Sequence, residues 1–119
     1  MYNSIADKIF KSVDRMDAAE LTACITKDGL FRFSNMEPVV GSENIQAFLK
    51  GFFESIKAIS HSEQEVYETG NVIITNGVVT YTRHSGSRYR CNFSNTFKME
   101  GDLVAEYLIF VDNSQLYNE

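Results

Sequence analysis

At 119 residues and 13.5 kDa, with 44% hydrophobic and 23% charged residues, the chain has the make-up of one globular domain, 1–119, around a single core. A net charge of −5, with basic residues scattered apart from Arg83, Arg88 and Arg90, leaves no footprint for phosphates, so no nucleic-acid partner is expected. No run reaches the roughly 18–20 apolar residues of a membrane helix, and the N-terminal MYNSIADKIFKSVDRMD lacks a signal-peptide core, so no membrane partner is expected. Cys24 and Cys91 lie far apart in apolar surroundings, which reads as two reduced thiols in a cytoplasmic protein.

In chain order, Ser4 with Asp7 forms a capping-box pattern that opens a first helix, through Arg15, with Ile5, Ile9, Val13 and Met16 as its buried stripe. Asp17, with Glu20 three residues on, opens a short second helix carrying Leu21, Cys24 and Ile25, and Lys27-Asp28-Gly29 ends it. Phe31 and Phe33 alternate with Arg32 and Ser34 in a half-buried strand, and Asn35–Gly41 is a loop. Ser42 caps a third helix whose buried face is Ile45, Phe48, Leu49, Phe52, Phe53 and Ile56. His61–Glu68 reads as a strand and Thr69-Gly70-Asn71 as a turn. Val72–His84 is a longer strand in which Asn76-Gly77 marks a bulge or bend.

Ser85-Gly86 turns the chain into the strongest signal of all. From Tyr89 to Met99, apolar or aromatic residues alternate strictly with polar ones, broken only by Asn95 on the apolar side. Gly101-Asp102 makes a tight turn into a last strand, Leu103–Asp112. With Glu100 facing Leu103, Asn95 falls opposite Leu108, Phe93 opposite Phe110, and Cys91 opposite Asp112. That register also turns Glu106 inward, a buried charge unless the register slips there. Helices first and a long antiparallel meander last give an α+β fold, a cone-shaped roll of N-terminal helices on a strongly curved sheet. The concave side is then a pocket. The polar outer face, with Arg90, Asn92, Ser94 and Thr96 and with Tyr81 and Arg83 nearby, is left for solvent or a partner subunit.

The order of elements, the DRMDAAEL stretch, Val40-Gly41-Ser42-Glu43-Asn44-Ile45, His61 at a strand start and Tyr107-Leu108-Ile109-Phe110-Val111-Asp112 resemble the SnoaL-like branch of the nuclear transport factor two-like superfamily. The resemblance covers nearly the whole chain and implies homodimers paired through the outer sheet face. It implies no single activity, since the superfamily spans isomerases, cyclases, dehydratases and non-enzymatic domains.

Three candidate sites follow. The resemblance makes Asp112 the match to the acid–base aspartate of the family's polyketide cyclase; at an apolar mouth, desolvation would raise its pKa. The plainer reading is that Asp112 starts a solvated turn. Asp14 with His61 resembles the carboxylate–imidazole pair of scytalone dehydratase-like relatives, although Val13 stands where those carry a Tyr. An imidazole held by a carboxylate is a competent base; the alternative is a solvated pair of surface groups. Asn95 matches a ketosteroid isomerase acid position, but the isomerase base position falls on Phe33 and its Tyr near Ile9, so that mechanism is not expected. An amide there can steady oxyanion charge or be an ordinary satisfied polar group. Phe33, Phe52, Phe93 and Phe110, with other members of the Phe set, are core or ligand-lining residues. No phosphate loop appears, and His61 and His84 lack a supporting ligand pattern, so neither cofactor nor metal is expected. Two classes stay open: a cofactor-free acid–base enzyme on a small, apolar, oxygenated molecule, or a non-catalytic ligand-binding or dimerisation module. They part on whether polar candidates converge in an open cavity or Phe side chains fill the cone.

Overall fold

The structure, a computed structural model, describes residues 2–118, with side chains from Ile5 onward. Helix α1 spans Tyr2–Asp14 and α2 spans Ala18–Thr22. They are followed by strands β1 (Ile25–Phe33) and β2 (Val39–Val40), helix α3 (Ser42–Glu54), and strands β3 (Ala58–Thr69), β4 (Val72–Thr82), β5 (Arg88–Glu100) and β6 (Leu103–Val111). The strands form one sheet in the order β2-β1-β6-β5-β4-β3. The meander β3 to β6 is antiparallel throughout, while β1 joins β6 in parallel. The α+β cone therefore stands: the helices pack into the concave side of a curved sheet. Ile9, Leu21, Ile45, Phe31, Phe97 and Tyr107 meet in its core, each almost without solvent contact.

Several local expectations are revised. The Ser4 cap lies outside the described side chains, and α1 already runs from Tyr2. Asp17 does cap α2, its carboxylate accepting from the Glu20 N–H at 3.0 Å. That helix stops at Thr22, because Ile25 and the residues after it are drawn into pairing with β6. Residues 35–41 are not all loop, since Val39 and Val40 pair with Phe31 and Leu30. Helix α3 is capped by Gly41 rather than Ser42; at φ 94 the backbone there suits a residue without Cβ. Strand β3 starts three residues early, which moves His61 from a strand end into its interior.

Two bulges shape the sheet. Opposite Gly77 the extra residue lies on β3 rather than on β4: Ser62 pairs with Val78 and Glu65 with Asn76, leaving Glu63 (φ 56) and Gln64 against Gly77. The second corrects the register of the last hairpin. Glu100 faces Leu103 and Met99 faces Val104 as expected, but Ala105 has no partner, and Lys98 pairs with Glu106. From there every residue of β6 is shifted by one, so Asn95 faces Ile109 and Phe93 faces Val111. Because side chains alternate, the slip exchanges the two faces of the strand. Tyr107, 2% exposed, turns into the core, and Glu106 turns out to meet Lys98 at 3.7 Å. The buried charge implied by the unslipped register is thereby avoided.

Deleting Ala105 should remove the bulge yet leave Glu106 opposite Lys98 and Tyr107 opposite Phe97. We expect that variant to keep a cooperative thermal transition at somewhat reduced stability, while Ala105→Gly costs no more than about 1 kcal/mol; differential scanning calorimetry of both checks this, and a lost transition on deletion would mean that the extra residue is needed for more than the register.

Candidate functional site

Asp14 is the last residue of α1 and His61 the fourth of β3, and the packing of that helix on that strand brings them together. Asp14 Oδ1 lies 2.7 Å from His61 Nδ1, and Oδ2 accepts from the His61 backbone N–H at 3.3 Å. A carboxylate has only lone pairs to offer, so Nδ1 carries the proton and Nε2 remains the basic atom of the ring. The His61 side chain is 8% exposed and that of Asp14 33%, so the imidazole is inside while its partner reaches the surface.

Aromatic packing fixes the ring plane. Phe10 lies 4.9 Å from the imidazole centroid, and Phe93 meets it edge-on at 5.1 Å and 88°. Phe93 in turn rests on Gly77, where a Cβ would stand 2.9 Å from the Phe93 ring and 2.9 Å from the Ser62 carbonyl. The missing side chain at 77 is thus what lets Phe93 lie close to β4 and hold His61.

His61 borders a cavity of about 40 Å³ between α3 and the sheet. Phe31, Phe33, Phe48, Phe52, Phe93, Tyr81 and Tyr107 supply rings to its wall, and Asn95 supplies an amide. Asn95 is 2% exposed, and its Oδ1 has no hydrogen-bond partner; neither has the Oγ1 of Thr75, its register partner on β4. An unmade bond at a buried polar atom costs about 1–3 kcal/mol, so Asn95 is an open acceptor in the wall. Burial pushes the Tyr107 phenol well above its ordinary range, with the Asp14 carboxylate adding to this, and burial does the same to Tyr81. Both are neutral donors at any physiological pH.

Of the residues singled out from the sequence, His61, Asn95, Phe33, Phe52 and Phe93 line this space, and Asp14 is bonded to His61 behind it. Asp112 and Phe110 are not. The shifted register turns Phe110 onto the outer face, 47% exposed beneath the Arg32 guanidinium. Asp112 lies beyond the end of β6, exposed, where its carboxylate accepts from the Ser114 N–H at 3.0 Å and hydroxyl at 2.6 Å. Those two bonds hold its pKa below the ordinary carboxylate value, opposite to the rise expected from an apolar mouth. Tyr81, expected near the outer face, is 3% exposed and lines the cavity, as does Tyr107, which the unslipped register had turned outward. The sequence signal for Tyr107 was Glu106 itself, a charge that the inner face could not accept. Among the described residues, no three His, Cys, Asp or Glu side chains come together as a metal site, and no helix is long and apolar enough to cross a membrane.

The profile of the SnoaL-like domain family matches residues 6–107. A comparison with curated proteins finds no match. Among solved structures, a candidate polyketide cyclase from Xanthomonas campestris pv. campestris is 13% identical, with a TM-score of 0.87 over 96% of this chain and 92% of that one. An NTF2-like protein of unknown function from Burkholderia pseudomallei is 15% identical, TM-score 0.85, over 95% and 92%. A hypothetical protein with a ketosteroid isomerase-like fold from Catenulispora acidiphila, in complex with trimethylamine, is 11% identical, TM-score 0.82, over 89% and 83%. At these identities the likeness is one of fold.

Gly77→Ala should press Phe93 against His61 and cost about 1–3 kcal/mol of stability. Adding Phe93→Leu should recover part of the loss, since the Cβ would still meet the Ser62 carbonyl. Chemical denaturation of the two single variants and the double variant measures the coupling; an additive result would mean that Gly77 does not act through Phe93.

Proposed function

Since the chain belongs to the SnoaL-like domain family of the nuclear transport factor two-like superfamily, we propose that its cone is a small-molecule site in which Asp14 and His61 perform cofactor-free acid–base chemistry on an apolar, oxygenated substrate. The observation that carries this is the 2.7 Å contact between Asp14 and His61 at the wall of a ring-lined cavity that also holds Asn95. His61 Nε2 takes a proton from a C–H or O–H next to the substrate's polar group. Asp14 holds the ring and offsets the imidazolium charge that then forms. The Asn95 amide N–H faces the oxygen on which negative charge develops, and the neutral wall keeps that charge out of water. The family supplies the pocket-bearing scaffold; the cyclase and trimethylamine descriptions belong to the neighbouring proteins and fit such a scaffold without naming a substrate here. Free thiols at Cys24 and Cys91 suit a reducing compartment such as the cytoplasm.

The test is proton exchange. In D₂O, α-protons of a bound carbonyl compound should exchange faster with the wild-type protein than with buffer, followed by ¹H NMR. His61→Gln should reduce that enhancement by about 10²-fold or more, and Asp14→Asn should reduce it without unfolding the protein. Binding without exchange anywhere in a carbonyl panel would leave the cone a ligand carrier.

The outer sheet face supports a second reading, pairing of two copies of the chain. Phe110 and Leu103 are exposed there or at its rim, beside the partly covered Ile74 and Leu108. Sedimentation equilibrium should return a dimer mass that Phe110→Asp lowers toward the monomer; a monomeric wild type would end this reading.

A further inference from the structure

Size, charge and unmade hydrogen bonds at the cavity wall together restrict what it can take. A cavity of about 40 Å³ holds roughly three water molecules, the space of about four or five non-hydrogen atoms. Its rings are interlocked rather than loosely collapsed. Phe31 meets Tyr107 edge-on at 5.2 Å, Phe33 meets Phe52 at 5.0 Å, and Phe52 meets Tyr81 at 6.3 Å. Admitting a fused-ring compound would break several of these contacts at once, and cores packed in this way resist expansion.

The lining contains no Lys or Arg, and its phenols stay neutral, so a carboxylate or phosphate would enter without a counter-charge. What the wall does offer is an acceptor without a donor. Asn95 Oδ1 is buried and unpartnered, with the equally unpartnered Thr75 hydroxyl on the neighbouring strand. A ligand that brings its own hydroxyl would satisfy that acceptor while leaving a carbon acid for His61.

We propose that the natural substrate class is a compact, uncharged hydroxycarbonyl compound of about four or five non-hydrogen atoms. This rests on the acid–base reading of the dyad and narrows it. The substrate hydroxyl donates to Asn95 Oδ1. His61 Nε2 removes a proton from the carbon between hydroxyl and carbonyl; the C–H electron pair becomes the C=C bond of an enediolate, and the carbonyl π pair moves to oxygen. Returning the proton to the same carbon restores the substrate. Returning it to the former carbonyl carbon, with one proton passing between the oxygens, yields the isomeric hydroxycarbonyl. No oxidant, reductant or cofactor enters the balance.

The experiment compares hydroxyacetone, acetone and a bicyclic ketone with the wild-type chain in D₂O, measuring C–H exchange by NMR and dissociation constants by titration. Hydroxyacetone should exchange at a rate lost in His61→Gln and bind about tenfold more tightly than acetone. Asn95→Leu should abolish that preference, weakening hydroxyacetone more than acetone, and unchanged circular dichroism and melting would show that the variant is folded. Should it fail to fold, Asn95→Ala provides the second variant, expected to weaken hydroxyacetone more than acetone. Exchange confined to the bicyclic ketone, or equal handling of hydroxyacetone and acetone, would overturn the inference and leave the acid–base reading standing. Absence of His61-dependent exchange with all three would overturn both.

Discussion

The unpaired Ala105 decides which side chains of the last strand enter the cone, because a one-residue slip in a strand exchanges its two faces completely. Upstream of it, the hairpin Glu100–Leu103 obeys the geometry of its turn; downstream, the strand obeys the burial requirements of its side chains. The two demands conflict by one residue, and the bulge reconciles them. Tyr107, Ile109 and Val111 then stand beside Phe97, Asn95 and Phe93 on the inner face of the sheet, while Glu106 and Phe110 are left to the outer face. The parallel neighbour β1 is irregular at the same level, between Ile25 and Leu30, so the displacement is accommodated on both sides of β6.

The dyad is assembled against local preference. The C-terminal end of a helix carries partial negative charge, and a carboxylate at that end is electrostatically disfavoured. Asp14 occupies that position on α1 and has two N–H donors from His61 to offset it, one from the ring and one from the backbone. His61 in turn depends on a strand interior, a bulge at Glu63 and a glycine opposite it for the ring contacts that fix its plane. Residues that violate local rules and are compensated by long-range contacts are characteristic of functional sites.

The layout of helices and meander was legible in the sequence because its signals are periodic: the alternation from Tyr89 to Met99 and the apolar stripe of α3 specify elements without long-range information. The Asp14–His61 pair was legible only through resemblance, since nothing local brings position 14 to position 61. What escaped was register. A turn type predicts a starting alignment, but the bulge at Ala105 follows from the cost of burying Glu106, a property of the whole sheet. That one displacement accounts for Phe110 and Tyr107 exchanging places, and it carries Asp112 past the strand end into its Ser114 turn. Strand β2 and the early end of α2 escaped for a related reason: pairing with distant strands overrode weak local preference.

Strand β1 lies between β2 and β6 and pairs with β6 in parallel, and Ser34 Oγ donates to the Val111 carbonyl, 77 residues further along the chain. During synthesis, the edge that β1 will offer β6 therefore stays open until the final strand has left the ribosome. Folding cannot be completed domain-half by domain-half as translation proceeds, and closure of the cone waits on contacts of the longest sequence separation, which form slowly. An exposed strand edge held open for that interval is the part of the nascent chain most in need of shielding from its neighbours on a polysome.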